Sequence, residues 1–378
     1  MKVALHTVDL FPGRERLMPF RTVLEVAKVM RENGWEADVI NSSVSEKKVA
    51  DFAWETVPVV QCPRDFSLLS KWVNERGYDA FYFACTIREG LKNLCGFGEM
   101  KCRKIAYVPS GIAPKANALW MMRMYGMYAK AWVLEAFTPK CLIGKKLHRV
   151  GFTDIIGLTD YTRRKVEGVL KAHTIYPGKD SFENMESDFS MVENNGLKGE
   201  KFFLFTGGPA PSRGGAIMLK AFDMLAEKQK DAKLVFLTRW DVGGEYEALF
   251  RVLGTLKHID QIVILKEKLS VAQLKAYFET AYAVVLPFIC IPAEIPLTYY
   301  EVMSCGTPVI SFPNAGTTEY LAKGIMQTKG VGKKALEKAL CELWNKPETR
   351  DTLAVEANKI MSKHPNWKEV GEAWMKIL

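Results

Sequence analysis

The sequence predicts an α/β protein of two domains, and three observations support this. The chain has 378 residues, which is more than one ordinary core accommodates and enough for two domains. Each half alternates short apolar runs with segments of helical periodicity, a pattern typical of a parallel sheet covered by helices. Between the halves, residues 181–201 are polar and contain an Asn-Asn-Gly turn signal, so we interpret them as an interdomain linker.

The first half yields five predicted strands and three predicted helices. The helix over residues 21–33 shows a clear pattern, because its apolar residues recur at helical spacing and an Asn-Gly pair ends it. The predicted strands are residues 2–6, 37–40, 80–84, 105–108 and 154–158, and the other helices are residues 66–76 and 162–171.

The second half repeats the alternation. Its predicted strands are residues 202–206, 233–238, 262–265, 283–287 and 308–312, and its helices are residues 216–229, 271–279 and 297–304. The tail, residues 365–378, places its apolar residues on one helical face that must be buried: Trp367, Val370, Ala373, Trp374 and Ile377. Because open α/β sheets bind ligands beyond the carboxyl ends of their strands, we expect a site in the cleft between the domains.

Composition and charge restrict the class of protein. The formal net charge is +9 and the pI about 9.0, which suits an anionic partner. The eight cysteines form no Cys-x-x-Cys pair, so we expect no metal site and a reducing, cytoplasmic setting. We also expect neither a signal peptide nor a membrane span, because the start is quickly polar and no long uncharged apolar stretch occurs.

The stretch PAEIPLTYYEVMSCGTPVI, residues 292–310, suggests an anion site. Pro296 suits the first turn of a helix over residues 297–304, and Gly306 suits its end. The free N–H groups at such a helix start can bind a phosphate, and Glu301, one turn in, can accept hydrogen bonds from sugar hydroxyls. Glu294 precedes the turn. The alternative is a buried helix with a capping glutamate.

A second candidate is TGGPAPSRGGAIMLKAF, residues 206–222. A predicted strand leads into a glycine-rich loop containing Arg213 and then into a helix, which suits phosphate binding by backbone N–H groups and one cation. The loop lacks the Gly-Lys-Ser/Thr of a P-loop and the Gly-x-Gly-x-x-Gly of dinucleotide-binding folds. Alternatively, its glycines only make a turn.

Together these motifs resemble the nucleotide-binding domain of retaining GT-B glycosyltransferases, family 4. The most specific part is EVMSCGTPVI with NAGTTEYL, which brings in Gly316 and Glu319. The resemblance implies two Rossmann-like parallel-sheet domains facing a cleft. These are an acceptor-binding domain over residues 1–185 and a nucleotide-sugar-binding domain over 200–362. A terminal helix over 363–378 would cross back onto the N-terminal domain.

The resemblance also implies roles for particular residues. Glu301 would hold the ribose, Glu294 would touch the donor sugar, and Arg213 would bind the diphosphate. The donor-binding candidates are Gly207, Gly208, Arg213, Arg239, Lys266, Glu294, Ile295, Pro296, Leu297, Thr298 and Glu301. The catalytic candidates are Glu294, Arg213 and Arg239, and the acceptor-side candidates are Gly13, Arg14 and Ser110.

Three departures from the family pattern stand out. Glu294 and Glu301 are seven positions apart, whereas the family commonly has eight. Gly208 stands where the family usually has an arginine, and we expect Arg239 to supply that cation. Residues 108–117 contain no histidine, although many relatives have one there.

The family mechanism implies no protein nucleophile, no cofactor and no metal. The leaving diphosphate would accept the acceptor's proton while the acceptor attacks the same face of the sugar, so catalysis would be positioning and electrostatic stabilisation. Two alternatives remain open: a sugar-nucleotide epimerase of the GT-B fold, and a non-catalytic relative that binds nucleotide sugar. A glycosidase pair made of Glu294 and Glu301 suits the helix start less well than ribose binding does.

The segment from Ile112 to Arg149 interleaves seven basic residues with methionines and aromatic residues against one acid, Glu135. This mixture suits an anionic membrane surface, and family relatives often glycosylate lipid-linked saccharides. The expectation is therefore a cytoplasmic protein, or one peripheral on the inner face of the membrane. The alternatives are a buried helix with a solvated basic face, or a wall of the acceptor pocket. We expect no nucleic-acid partner, because no recognisable nucleic-acid module is present.

Overall fold

The computed structural model describes residues 1–18, 20–43, 49–238, 246–291 and 295–378. Within these residues, two separate sheets are formed by the two halves of the chain. The predicted α/β class with two parallel-sheet domains is confirmed.

The first sheet has eight strands. They are β1 (Lys2–Val8), β2 (Glu36–Ser42), β3 (Phe52–Trp54), β4 (Val57–Gln61), β5 (Ala80–Ala84), β6 (Arg103–Val108), β7 (Phe152–Gly157) and β8 (Lys171–Thr174). Their order is β3-β4-β2-β1-β5-β6-β7-β8, and every described pair is parallel except β3 with β4. β1 and β5 are buried along nearly their whole length, as expected for strands covered by helices on both faces.

The second sheet has six strands. They are β9 (Phe202–Thr206), β10 (Lys233–Leu237), β11 (Ile262–Leu265), β12 (Ala283–Leu286), β13 (Val309–Ser311) and β14 (Ile325–Gln327). The order β11-β10-β9-β12-β13-β14 is parallel throughout and reverses direction between β9 and β12. Because ligands bind open α/β sheets at such a reversal, the loops after β9 and β12 are the natural edges of a site.

Sixteen α-helices connect and cover the strands within the described ranges. The first eight are α1 (Phe20–Glu32), α2 (Phe66–Glu75), α3 (Ile87–Leu91), α4 (Lys115–Tyr125), α5 (Lys130–Phe137), α6 (Cys141–Arg149), α7 (Asp160–Val166) and α8 (Ser190–Asn194). The others are α9 (Gly215–Ala226), α10 (Glu247–Leu253), α11 (Val271–Thr280), α12 (Leu297–Ser304), α13 (Ala315–Leu321), α14 (Lys333–Asn345), α15 (Pro347–Lys363) and α16 (Trp367–Met375). None of the helices that the structure describes is long and apolar enough to cross a membrane.

The terminal helix α16 crosses back to the N-terminal domain, as the resemblance implied. Trp367, Val370 and Trp374 are buried in the core beside α1 and β5. The hydroxyl of Tyr82 donates to the carbonyl of Trp374 at 2.8 Å. A Cβ on Gly371 would lie 2.5 Å from the Val29 side chain, so this helix crosses α1 at a distance that only glycine permits.

Several local predictions differ from the structure. The predicted helix over 162–171 is wrong beyond Val166, because the chain turns and residues 171–174 pair with β7 as the edge strand β8. The hairpin β3–β4 and the strand β14 were not predicted. Residues 181–201, interpreted as a linker, contain α8 and bury Phe182, Val192 and Leu197 against the C-terminal core. The exact domain boundaries stay a prediction.

The segment from Ile112 to Arg149 folds into three helices, α4 to α6, rather than one amphipathic stretch. One part of its apolar surface faces the other domain: Ala113, Met121 and Ala129 are buried in the same core cluster as Phe205 and Ile289. This contact explains part of the methionine-rich pattern by domain packing.

Candidate active site

The glycine-rich loop after β9 is shaped by Gly214. Its φ is +73°, and a Cβ there would lie 2.1 Å from the carbonyl oxygen of Pro287, so only glycine fits. The adjacent backbone is fixed by a hydrogen bond of 2.8 Å from the N–H of Ile289 to the carbonyl of Ser212. The loops after β9 and β12 are therefore held together at the reversal of the sheet.

This contact fixes Arg213, the predicted diphosphate-binding residue. Its guanidinium lies over the Phe288 ring, with the central carbon 4.6 Å from the ring centroid. Gly207 is buried, and its carbonyl accepts a hydrogen bond of 3.3 Å from the Tyr246 hydroxyl. At Gly208, where the family pattern has an arginine, a Cβ would meet nothing within 4 Å. The structure thus brings Gly207, Gly208 and Arg213 to one edge of the cleft.

Helix α12 begins at Leu297, as predicted, and presents Glu301 to the same edge. Ile295 and Pro296 are buried, and Leu297 and Thr298 are half-buried. Among the described residues no side chain caps this helix start, so its first-turn N–H groups suit an anion. The Glu301 side chain is 14% exposed, which leaves its carboxylate able to accept from a ligand.

The first loop of the N-terminal domain reaches Glu301 through a residue that the sequence analysis missed. A guanidinium nitrogen of Arg16 lies 3.7 Å from a carboxylate oxygen of Glu301. The predicted neighbour Arg14 instead packs its guanidinium 5.0 Å from the Phe11 ring centroid. Gly13 has a φ of +89°, and its N–H donates to the Glu15 carboxylate at 2.8 Å. The loop therefore approaches Glu301 by Arg16, and the acceptor-side roles of Gly13 and Arg14 stay predictions.

A narrow cleft lies between the domains, and its cavity volume is about 10 Å³, the space of roughly one water molecule. Its lining residues are Gly111, Ile112, Ala113, Pro114, Ile291, Asn314, Ala315 and Gly316. The first four follow β6 and the others follow β12 and β13, so both domains contribute their carboxyl-end loops. Ser110, predicted on the acceptor side, directly precedes this lining, and its hydroxyl is buried with no hydrogen-bond partner among the described residues.

Three predicted residues are not brought into this arrangement by the described structure. Arg239 and Glu294 lie outside the described residues. Lys266 is exposed at the end of β11, two strands from β9, with its ammonium 5.2 Å from the Phe250 ring centroid. Their roles stay predictions. No group of three or more potential metal ligands occurs in the part of the chain that the structure describes.

Burial determines the protonation of two groups at the edge of the cleft. It raises the pKa of the Cys290 thiol to about 12, so this cysteine stays protonated at neutral pH. Burial likewise raises the pKa of Tyr299, while the nearby Arg213 opposes the shift. The Tyr299 hydroxyl lies 2.7 Å from that of Ser311. Both groups are therefore uncharged at neutral pH.

Two further pairs of residues join the domains around the cleft. Arg164 of α7 donates two hydrogen bonds of 2.7 Å to Glu319 of α13. Next to them, the rings of Tyr176 and Tyr320 stack with centroids 3.9 Å apart. These residues were not predicted to meet, although Glu319 belongs to the motif NAGTTEYL.

Known proteins resemble this chain most clearly in its C-terminal half. Residues 187–360 match the family model described as Glycosyl transferases group 1. The spore coat protein SA of Bacillus subtilis (strain 168) is 24% identical over 298 residues, which cover 73% of this chain and 76% of that protein.

Solved structures agree on the fold over the whole chain. The sucrose-phosphate synthase of Thermosynechococcus elongatus has a TM-score of 0.74 at 14% identity, with 100% of this chain and 98% of that chain covered. The Anabaena protein Alr3699/HepE, solved in complex with UDP, has a TM-score of 0.73 at 12% identity, with 100% and 99% covered. WaaG, a glycosyltransferase involved in lipopolysaccharide biosynthesis, has a TM-score of 0.66 at 13% identity, with 99% of each chain covered. Residues 187–360, a little under half of this chain, are therefore similar to the glycosyl transferases group 1, and the chain as a whole has the GT-B fold.

Proposed function

We propose that this protein transfers a sugar from a nucleoside diphosphate sugar to an acceptor hydroxyl, with retention of configuration and without a metal. One observation carries the proposal: Arg213 lies over the Phe288 ring, and that ring is 6.1 Å from the Tyr299 ring of α12, the helix that begins uncapped at the reversal of the C-terminal sheet and carries Glu301. A cation and free N–H groups suit a diphosphate, and a carboxylate one helical turn further on suits ribose hydroxyls.

The chemistry follows from these groups. Arg213 and the start of α12 would stabilise the charge that develops on the departing diphosphate, which typically contributes about 10²–10³ in rate per donor. None of the residues that line the cleft carries a carboxylate, thiol or imidazole, although Glu294 lies outside the described part of the chain. In the proposed mechanism the acceptor attacks on the same face as the leaving diphosphate, which would take up the acceptor's proton.

Donor binding is tested by thermal stability with UDP, GDP and ADP and their glucose conjugates. UDP comes first, because the solved Anabaena protein binds it. At a hundredfold excess over Kd, a ligand adds roughly 2.7 kcal/mol to the stability of the native state. We expect one nucleotide to stabilise the wild type and the control Glu342→Ala but not Glu301→Ala. If no nucleotide stabilises the wild type at millimolar concentration, the proposed donor site is wrong.

Turnover separates the enzyme from its alternatives. A transferase consumes the donor only when an acceptor is present, and NMR of the product would show the anomeric configuration of the donor. Activity in excess EDTA would support independence from metal. Conversion of the sugar nucleotide without any acceptor would instead indicate an epimerase, and binding without turnover across an acceptor panel would indicate a non-catalytic relative.

We also propose that the acceptor is reached at an anionic membrane. Even after domain packing, the helices α4 to α6 and their connections expose seven large apolar side chains: Leu119, Met124, Met127, Tyr128, Leu134, Phe137 and Leu142. Basic residues of the same segment alternate with them in the sequence, and the ammonium of Lys115 lies 5.1 Å from the Phe137 ring centroid. Exposed apolar groups among cations suit the interface of an anionic bilayer.

The membrane proposal is tested by co-sedimentation with phosphatidylglycerol vesicles at low salt. Met127 is 71% exposed and Val355, on α15, is 65% exposed. We expect Met127→Asp to reduce binding severalfold and Val355→Asp to leave it unchanged. Equal binding of both variants, or retention of the wild type in the supernatant, would count against the membrane surface.

A further inference from the structure

Asn117 of α4 links the N-terminal domain to two loops of the C-terminal domain. Its side chain is buried, at 3% exposure, and its amide nitrogen donates to the carbonyls of Ile289 at 2.8 Å and Pro313 at 2.6 Å. The two acceptors lie in the loops after β12 and β13. Both amide hydrogens are thus used, and a short side chain with two donors on one nitrogen is specific to asparagine.

The two loops are also joined to each other and to the glycine-rich loop. The side-chain amide of Asn314 donates to the carbonyl of Phe288. The N–H of Ile289, whose carbonyl Asn117 binds, donates to Ser212 in the loop that holds Arg213. A single hydrogen-bonded frame therefore runs from Asn117 through both loops to the diphosphate side of the site.

The opposite wall of the cleft depends on the same helix. Gly111 to Pro114 line the cleft and lead directly into α4. Met121 of α4 and Ala129, four residues beyond its end, are fully buried with core residues of the C-terminal domain. Because α4 is fastened to the C-terminal domain, the acceptor-side wall stays at a fixed distance from Ile291 and from residues 314–316.

We infer that Asn117 is a positioning residue that sets the spacing between the acceptor-side wall and the donor loops. This inference rests on the proposed transferase function. The hydrogen bonds of Asn117 go to Ile289 and Pro313 and not to the predicted ribose or diphosphate contacts. The loop of Arg213 keeps its own contacts with the loop after β12, through Ile289 and Ser212 and through Gly214 and Pro287, so the loss of Asn117 leaves nucleotide binding in place. Without the Asn117 side chain the distance between the two walls can vary. A misplacement of about 1 Å between reacting groups can cost about 10²-fold in rate.

The test compares Asn117→Ala and Asn117→Asp with the wild type in the full-length protein. The aspartate variant keeps the shape of the side chain but turns a carboxylate oxygen toward two carbonyls, so it separates hydrogen bonding from packing. Asn195→Asp is the control, because that amide also donates to a carbonyl, of Met191 at 2.7 Å, but belongs to the turn after α8. Hydrogen–deuterium exchange is measured over residues 111–114, 288–291 and 313–316.

We expect both Asn117 variants to raise exchange in all three loops together, and the control to leave them unchanged. The Kd of UDP, or of whichever nucleoside diphosphate stabilises the wild type, should stay within about threefold of the wild-type value. The kcat for transfer from the corresponding nucleoside diphosphate sugar should fall about 10- to 100-fold. The inference would be overturned if Asn117→Asp kept wild-type exchange in the three loops, or if faster exchange were confined to α4. It would also be overturned if Kd rose by as large a factor as kcat fell. If the wild type binds no nucleotide, the proposed function fails, while the exchange data still decide whether Asn117 couples the loops.

Discussion

Replacing Gly214 by alanine should destabilise the C-terminal domain and displace Arg213. Two costs add. The left-handed φ of +73° is unfavourable for a residue with a Cβ by about 1–2 kcal/mol. The new Cβ would also lie 2.1 Å from the Pro287 carbonyl oxygen, a backbone atom that cannot rotate away. Overpacking of this kind typically costs about 1–3 kcal/mol, so the total is about 2–5 kcal/mol.

The control is Gly199→Ala, because Gly199 has a similar φ of +78° but open space around its Cβ position. It should therefore show the backbone cost alone. In a domain of 150–250 residues, 1 kcal/mol shifts Tm by about 2–4 °C, so the overlap should lower Tm by about 2–12 °C more in Gly214→Ala than in the control.

The assay is differential scanning calorimetry, followed by nucleotide binding on the folded protein. Because Gly214 holds the loop of Arg213 against the loop after β12, we expect Gly214→Ala also to weaken nucleotide binding, whereas Gly199→Ala does not. Equal Tm values for the two variants would show that the backbone at Gly214 moves away from Pro287 at no cost. The contact between Gly214 and Pro287 would then not determine the position of Arg213.

Three further predictions concern single side chains. Replacing Glu301 by glutamine keeps a hydrogen-bond acceptor but removes the negative charge. Because charge-assisted hydrogen bonds are lost, we expect calorimetry to show UDP binding about tenfold more weakly. An unchanged affinity would exclude a contact between Glu301 and the ribose. Arg16→Ala should tighten binding of the nucleoside uridine by up to about fivefold, since an exposed ion pair of at most about 1 kcal/mol no longer competes for the carboxylate. Arg14→Ala is its control, and weaker uridine binding in Arg16→Ala would show that the arginine contacts the ligand instead. Burial lowers the pKa of His364 to about 4, so the folded protein keeps this imidazole neutral. The folded state therefore loses up to about 3 kcal/mol of stability as the pH falls from about 6.5 towards 4. The free energy of unfolding in urea should therefore depend less on pH in His364→Gln than in the wild type or in His258→Gln, and an unchanged slope would contradict this.

The periodicity of the chain was sufficient to predict most of the scaffold. The runs that became β1, β5, β9 and β12 are apolar because both faces of a parallel strand are covered, so each is visible without knowledge of its neighbours. The edge strands β3, β8 and β14 were missed or assigned to a helix, because a strand of three or four residues gains its stability from one neighbour that the local sequence does not specify.

The candidate site divides in the same way. Arg213 and the helix start at Leu297 each belong to a strand–loop–helix pattern, so that pattern was enough to predict their positions, whereas the close approach of Gly214 to Pro287 appeared only in the structure. Arg16 was missed because nothing near it in sequence indicates an acidic partner, and the predictions in that loop fell on Gly13 and Arg14 instead.

By itself the sequence determined the α/β class, the two sheets, the amphipathic terminal helix and the motif that carries the resemblance to GT-B glycosyltransferases. Only the tertiary structure decided which residues of the two halves meet. Asn117 binds carbonyls 172 and 196 positions away, and Arg164 binds Glu319 across 155 positions. The reason is physical: helical and strand periods follow from local backbone geometry, whereas contacts between domains depend on how two separately formed sheets are placed against each other.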